Sequence, residues 1–498
     1  MNVNPITRLD YPDPDVIRVE DTYYMVSTTM HFMPGCEILQ SFDLVHWEHV
    51  TYVYETLDHT DAQQLKSGQN IYGQGMWAAS LRYHEGRFCI CFVANDTRKT
   101  YLYTSEKIDG PWKKQLIEGF YHDGSLLFDE DGRNYIVYGN DEIWITELNE
   151  DLTAPKKDGL HRLLVSDHKN PELGYEGSHI QKINGYYYIF LIHSLRDRWM
   201  RTEACFYSDS LEGEFTGGDV LCDDRGYCGQ GVAQGGIVDT PDGKWYAMLF
   251  QDSGAVGRIP ILVPVTWKDH FPVFGQNGHV PEEIEVHSTR PGYIYQPLVG
   301  SDDFCNGLLP RWQFNHDPDP RYYHLDALQG TYTITTREVC TELTQAVNTL
   351  TQRMSYPSCA AEVTVDASAL KEGDVAGLCA LQSCYAAVGI TKHHGKYEVL
   401  MLDKKEDGIL DMTEGTVVES HQMDFRLEAD FCNMKDEARC YYRVNKGDWL
   451  PIGTVHKLYF KLDHFTGCRF GLFCYAAEET GGSACFRDFK YYDVDEIS

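Results

Sequence analysis

Short runs in which apolar and polar side chains alternate, punctuated by turns, fill the first 260 residues. In Leu9–Ser27, LDYPDPDVIRVEDTYYMVS, Val16 to Val19 alternates, Glu20-Asp21-Thr22 has turn composition, and Tyr23 to Ser27 is aromatic and β-branched. This pattern predicts a hairpin. Pro14 has no N–H to give to a sheet ladder, so Asp13 stands at the entrance of the first strand. The arrangement returns in EGRFCIC at Glu85–Cys91, DGRNYIV at Asp131–Val137, NGYYYIF at Asn184–Phe190 and DGKWYAM at Asp242–Met248. Each is an aromatic strand behind a tight turn. Counted from Asp21 through Gly86, Gly132, Gly185 and Gly243, the turns lie 65, 46, 53 and 58 residues apart. Repeats of that length suit four-stranded propeller blades, and five of them predict five blades. No segment of this half holds a 3.6-residue period, so helix is expected to be scarce.

Nine residues before the last four turn glycines stand Trp77, Asp123, Glu176 and Gln234, and eight before Asp21 stands Asp13. In a propeller the innermost strands surround a central channel, so these equivalent positions should converge on its axis. Alone, Asp13 reads as a turn or capping aspartate. The repetition changes that reading, because three carboxylates, a tryptophan and a glutamine would then face one another across a single pit.

From about Pro291 the texture changes. Thr289–Phe304, TRPGYIYQPLVGSDDF, has no hairpin of the earlier kind and reads as a linker. Alternating segments follow at Ala361–Val365, Tyr385–Leu402, Arg439–Val444 and Phe486–Tyr492, which predicts a β-sandwich. The expected division is a propeller over residues 1–295 and a sandwich over 300–498. Within Tyr385–Leu402, His393-His394 reads as a solvated turn rather than a metal pair, having no acidic companions close in sequence.

Charge and composition narrow the function. A formal net charge of −32 repels nucleic acid and anionic membranes as partners, and is neutral toward an uncharged substrate. The N-terminus shows no basic region followed by an apolar run, and no stretch approaches the roughly 18 apolar residues of a spanning helix. The 16 cysteines are scattered, without zinc-site spacing. Cys89 and Cys91, on one face of a strand, read as reduced packing residues. A cytoplasmic location is therefore expected.

Two carboxyl groups across a pit, one ionised and one protonated, suit glycoside hydrolysis. A third raises the donor's pKa by like-charge repulsion and orients it. A tryptophan gives a flat apolar wall for a sugar face. Arg258, in GAVGRIP after the fifth hairpin, is placed to bind sugar hydroxyls and to pair with a carboxylate.

These residues also carry a resemblance. YPDPDVIRVEDTYYMVSTTMHFMPG, the tryptophan in GQGMWAAS, HDGSLLFDEDG, YEGSHIQKINGYYYIF and QGGIVDTPDGKWYAMLFQ together resemble glycoside hydrolase family 43, the β-xylosidases and α-L-arabinofuranosidases with a five-bladed propeller. In the second half, DDF, AAEVTV, GDVAGLCALQ and FGLF resemble the concanavalin-like, jelly-roll sandwich of its xylosidase-type members. The resemblance implies that Asp13 is the general base, Asp123 tunes the acid, and Glu176 is the general acid. It also implies that Trp77 is a subsite wall and Arg258 a sugar ligand. Inversion of configuration would put the Asp13 and Glu176 carboxyls on the order of 6.5–9.5 Å apart. Met30 stands where members often have phenylalanine, which implies a reshaped first subsite, and where many have a channel histidine the fifth-blade positions here offer Gln230 and Gln234. Phe465, in HFTGCRFGLF, is the residue the sandwich would lend to the pit.

The expectation is an inverting exo-glycosidase releasing α-L-arabinofuranosyl or β-D-xylosyl units from hemicellulose-derived oligosaccharides. Its partner would be a small oligosaccharide, with self-association left open. No cofactor is required and no metal is expected in the catalytic trio; a structural calcium elsewhere is left open. Two alternatives stand beside it: a non-catalytic carbohydrate-binding propeller, and a retaining, invertase-like fructosidase.

Overall fold

A computed structural model describes residues 2–493. Among these the ordered elements are β-strands and four three-residue 3₁₀ turns, as the missing helical period requires. Five sheets form the propeller blades. Blade I comprises Asp15–Val19, Thr22–Val26, Gly35–Ser41 and Glu48–Tyr54, and blade II runs from Met76–His84 to Lys113–Ile117. Blade III runs from Ser125–Phe128 to His161–Ser166, and blade IV from Glu176–Ile183 to Thr216–Leu221. In blade V the innermost strand is split into Val232–Ala233 and Ile237–Asp239, both paired with Trp245–Asp252. The glycines of the last four hairpin turns have φ between 78° and 84°, a conformation that strains any residue with a Cβ.

Apolar cores fill the gaps between successive blades. Ile38 and Val26 meet Leu81 and Ile90 between blades I and II, while Val16 and Met25 meet Tyr246 and Leu262 between I and V. Cys89 and Cys91 lie in the core between II and III with Leu126 and Ile136, and burial pushes their thiols up to about 11 and about 12. The ring is tied shut where Asn2–Val3 pairs with Glu283–Ile284 and the Asn4 amide donates to the Leu262 carbonyl at 2.8 Å. Among the described residues no helix is long and apolar enough to cross a membrane.

Past Glu283–Ile284 no strand forms until Gln313–Asn315. Two sheets, of nine and seven strands, then face each other across one large core containing Trp312, Val363, Leu378, Phe425, Phe470 and Phe486. This is the concanavalin-like sandwich. His393 ends the strand Tyr385–His393 and His394 begins the exposed turn to Lys396–Lys404, with His393 Nδ1 3.8 Å from the Glu398 carboxylate.

One pairing crosses the division between the domains. Phe32–Met33, from the loop within blade I, pairs with Gln313–Asn315 and thereby extends the nine-stranded sheet. Arg353 of the sandwich reaches the other way. It pairs with Glu37 at 2.8 Å, donates to the Asp10 carbonyl at 2.9 Å and lies over the Tyr11 ring. Removing one partner of such a buried pair is costly, so the sandwich is docked through blade I rather than tethered.

Candidate active site

The innermost strands place their first residues around the axis. Asp13 precedes Asp15–Val19, Trp77 is second in Met76–His84, Asp123 precedes Ser125–Phe128, Glu176 begins Glu176–Ile183, and Gln234 fills the gap in blade V. Asp13, Asp123 and Gln234 share a left-handed backbone, with φ of 51°, 48° and 63°. That conformation is uncommon outside glycine and accumulates at functional sites. Beneath them Arg82 of blade II fixes the channel. It donates to Asp15 at 2.8 Å, to the Leu126 carbonyl at 2.9 Å and to the Ser125 hydroxyl at 2.7 Å. His179 of blade IV meets the other Asp15 oxygen at 3.1 Å. Four blades are thus cross-linked directly below the carboxylates.

Asp13 is buried. Arg258 donates to its Oδ1 at 2.6 Å and the Thr28 hydroxyl to its Oδ2 at 2.5 Å, leaving a lone pair on each oxygen for water. Asp123 accepts the Gly177 N–H at 2.9 Å. Burial, opposed by the charge of His122 but reinforced by Glu176 and Asp13, raises Asp123 to about 6. Glu176 Oε2 accepts from Asn140 at 2.7 Å and lies 3.5 Å from His122 Nε2. Burial opposes Glu176's ionisation, yet the hydrogen bond and charge of His122, with Arg201 and Arg258, hold it below the ordinary carboxylate range.

His122 was not singled out from the sequence, although it stands beside Asp123 in HDGS. Its Nε2 lies 3.5 Å from Asp123 as well as from Glu176. Burial works against its charge, but those two carboxylates and Asp13 outweigh burial and raise it to about 9. His122, Asp123 and Glu176 each bring one ligand atom within 4.8 Å of the others, close enough to share a metal ion. A metal bound there would displace the proton from the imidazole.

The remaining sequence candidates fall at different depths. Phe465 reaches the pit from the sandwich: its ring lies 5.1 Å from Trp77, edge to face, and 3.9 Å from the Arg258 guanidinium. Arg258 also donates to Asp252 at 3.2 Å, and Asp252 pairs with Arg201 at 2.7 Å. Met30 is fully buried, its backbone bridged to Met76 and its sulfur accepting from the Thr466 hydroxyl at 3.4 Å; it therefore supports the wall from behind. Gln234 lies against Gly177, and its N–H is held by Glu203 at 2.7 Å. Thr28, Asn140, Arg201 and Asp252 were also missed, because their contacts come from other blades and no local spacing announces them.

Gly177 is required twice. Its φ is +65°, and a Cβ there would sit 2.7 Å from two carbons of Gln234. Gly177→Ala therefore costs about 1–2 kcal/mol of backbone strain and shifts both the N–H held by Asp123 and the adjoining Glu176. The expected result is a kcat loss on the order of 10²-fold, as for a displacement near 1 Å, with the circular dichroism of the folded protein retained. Wild-type kcat in this variant would show that the Asp123–Gly177 contact does not position Glu176.

Comparison with known proteins agrees with this architecture. The family model for glycosyl hydrolases family 43 matches residues 3–272, and that for the beta xylosidase C-terminal concanavalin A-like domain matches residues 301–492. A beta-xylosidase of Formosa agariphila is 26% identical, covering 99% of this chain and 89% of its own. A non-reducing end alpha-L-arabinofuranosidase of Bacteroides ovatus is 24% identical, covering 82% and 79%. Among solved structures, a bifunctional GH43-CE protein of Bacteroides eggerthii superposes with a TM-score of 0.91 at 42% identity. That match covers all of this chain but 64% of the bifunctional protein, so this chain spans less than two thirds of its length.

Proposed function

This chain belongs to glycosyl hydrolase family 43, and from that premise we propose that its pit removes single β-D-xylosyl or α-L-arabinofuranosyl units from hemicellulose-derived oligosaccharides, with inversion. The observation that carries this reading is the convergence of Asp13, Asp123 and Glu176 on one pit walled by Trp77. The names of relatives of both specificities support the choice of sugars.

In this mechanism Asp13 takes a proton from the attacking water, which it accepts on the lone pairs left by Arg258 and Thr28. Glu176 protonates the glycosidic oxygen as the bond to the anomeric carbon breaks. Asp123 and Glu176 titrate as a pair. A bound sugar excludes water and raises Glu176, and the proton held among His122, Asp123 and Glu176 then passes to it. Trp77 and Phe465 offer apolar faces to the sugar's CH groups, and Arg258 orients the base.

The test is a proton NMR time course with 4-nitrophenyl β-D-xylopyranoside and α-L-arabinofuranoside run in parallel. The first-formed sugar is expected as the inverted anomer, and the faster substrate identifies the preferred unit. A retained anomer would mean a covalent intermediate and recast Asp13 as a nucleophile. Turnover of neither would remove the assignment.

A further inference from the structure

A cavity of about 540 Å³ is built from sandwich residues alone, a volume within the range of small-molecule sites. Both sheets line it. Asp403 comes from Lys396–Lys404 of the nine-stranded sheet, and Val455 and His456 from Leu450–Lys457, the edge strand of the seven-stranded sheet. Asp436, in the turn before Glu437–Val444, joins them, with Tyr459 and Phe460. No step of the hydrolysis proposed above passes through these residues.

Two buried polar side chains of this lining keep an atom without a hydrogen-bond partner among the described residues, His456 at Nε2 and Asp436 at Oδ1. They are 2% and 3% exposed. His456 Nδ1 lies 2.7 Å from Asp403 Oδ1. The carboxylate can only accept there, so Nδ1 carries the hydrogen and Nε2 presents a lone pair. Burial lowers the pKa of His456 against the opposing pull of Asp403, so the ring is neutral and Nε2 stays an acceptor at pH 7. Burial raises Asp436 to about 6, against the Ala255 N–H and the charge of Lys457, so at pH 7 its oxygens accept too. Gly254 of the propeller, where a Cβ would sit 2.6 Å from Asp436 Oδ1, leaves that carboxylate room. The bond between His456 and Asp403 ties the two sheets together, which accounts for Nδ1 but not for Nε2. Buried polar groups are nearly always paired, so two unpaired acceptors on one cavity call for donors brought from outside.

Charge and shape narrow the donor. Lys457 Nζ donates to the Met434 and Lys435 carbonyls at 3.2 and 2.7 Å, Lys405 pairs with Asp411, and Glu406 pairs with Lys461. The charged lining is thus already engaged, which favours a neutral ligand. Among the described residues, the three side chains that could share a metal ion are His122, Asp123 and Glu176, so a metal would lack a third protein ligand here. Val455, Tyr459 and Phe460 add apolar surface. A sugar ring meets both demands: its hydroxyls donate to the two acceptors, and its CH face lies on the aromatic and aliphatic wall.

We propose that the sandwich carries a second sugar site, separate from the pit, in which one neutral pentose donates hydroxyls to His456 and Asp436. Only the choice of a pentose rests on the glycosidase reading above, which makes xylose or arabinose the sugar this protein releases.

The test is equilibrium dialysis of the full chain against D-xylose and, separately, L-arabinose. Two equivalents are expected to bind, one in the pit and one in the sandwich, and Trp77→Ala should weaken the first alone. His456→Asn keeps an amide where Nδ1 bonds Asp403 and deletes Nε2; it should weaken the second about tenfold, the loss of one hydrogen bond to a buried acceptor. Val455→Trp, at a lining position 47% exposed, should fill the cavity and weaken it as much without disturbing the core. Both sandwich variants should keep wild-type kcat/KM on 4-nitrophenyl glycosides. A single equivalent in the wild type, or a second that neither variant weakens, would overturn the sandwich site. Equal affinity of that site for glycerol, which has no ring, would overturn it as well. Two equivalents bound by a protein that turns over neither glycoside would uphold this site and remove the glycosidase reading alone.

Discussion

Glu176→Ala is expected to lower kcat/KM on xylobiose or an arabinofuranosyl disaccharide by about 10³–10⁴-fold, near the upper range for loss of a general acid. A 2,4-dinitrophenyl glycoside, whose leaving group departs without a proton, should lose far less. The reasoning turns on the leaving oxygen. A sugar alkoxide is a poor leaving group and needs protonation as the bond breaks, whereas a dinitrophenolate does not. Asp13→Ala supplies the contrast, since water must be activated whatever the leaving group; it should lose activity on both substrates alike. Steady-state kinetics on the two substrate classes checks the pair. Parallel losses in Glu176→Ala would mean that it binds or orients rather than donates, and full activity in Asp13→Ala would remove the base.

Stability should fall steeply with acid through a second cluster, where histidines of the two domains meet. His31 of the propeller and His316 and His464 of the sandwich are fully buried together, His31 ring centroids lying 4.9 Å from His316 and 5.3 Å from His464. Burial, with mutual repulsion and the nearby Arg469, holds His31 well below its ordinary value. Burial and the charge of His464 bring His316 to about 3. Burial brings His464 to about 4, Asp463 opposing it and Arg469 adding to it. His316 Nε2 accepts the Ile71 N–H at 2.9 Å, a bond that protonation would destroy.

The sign follows from the direction of these shifts. The folded protein keeps the three rings neutral while the unfolded chain takes up protons near 6.5, so stability is present above that value and is lost as pH falls below it. Between pH 7 and pH 5 each ring contributes a loss of about 2 kcal/mol. Urea unfolding at pH 7, 6 and 5 should show the decline, and His464→Asn should flatten it by about one third. A pH-independent midpoint in the wild type, or an unchanged slope in His464→Asn, would show that the cluster does not govern the decline. Because His464 adjoins Phe465, the same titration should weaken the contact that carries the aromatic ring into the pit.

Much of this protein is legible from local chemistry. Period-two alternation, Asp-Gly and Asn-Gly turns and a Pro-flanked Asp13 are properties of neighbouring residues, so five hairpins and their matched first positions could be read in order. Once blades are arranged in a ring, equal offsets become equal depths, which is why Asp13, Trp77, Asp123, Glu176 and Gln234 meet. The linker near residue 300 was visible for the same reason, since turn and strand signals simply stop.

Other features depend on side chains from distant segments arriving at one place. His122 had a known neighbour but no visible role until blade III brought it 3.5 Å from Glu176 of blade IV. Thr28 and Arg258, 230 residues apart in sequence, grip the two oxygens of Asp13. Phe32–Met33 reads as blade I loop yet pairs with the sandwich, and Trp199 faces Phe460–Asp463 across the domain boundary. The repeats, the two β domains and the carboxylates at matched strand entrances follow from short-range backbone preference and so are written in neighbouring residues. Only the folded arrangement sets which charges lie within reach of one another, which arginine holds Asp13 and which sandwich residue meets Trp77. Those depend on distances between blades, which no local pattern encodes.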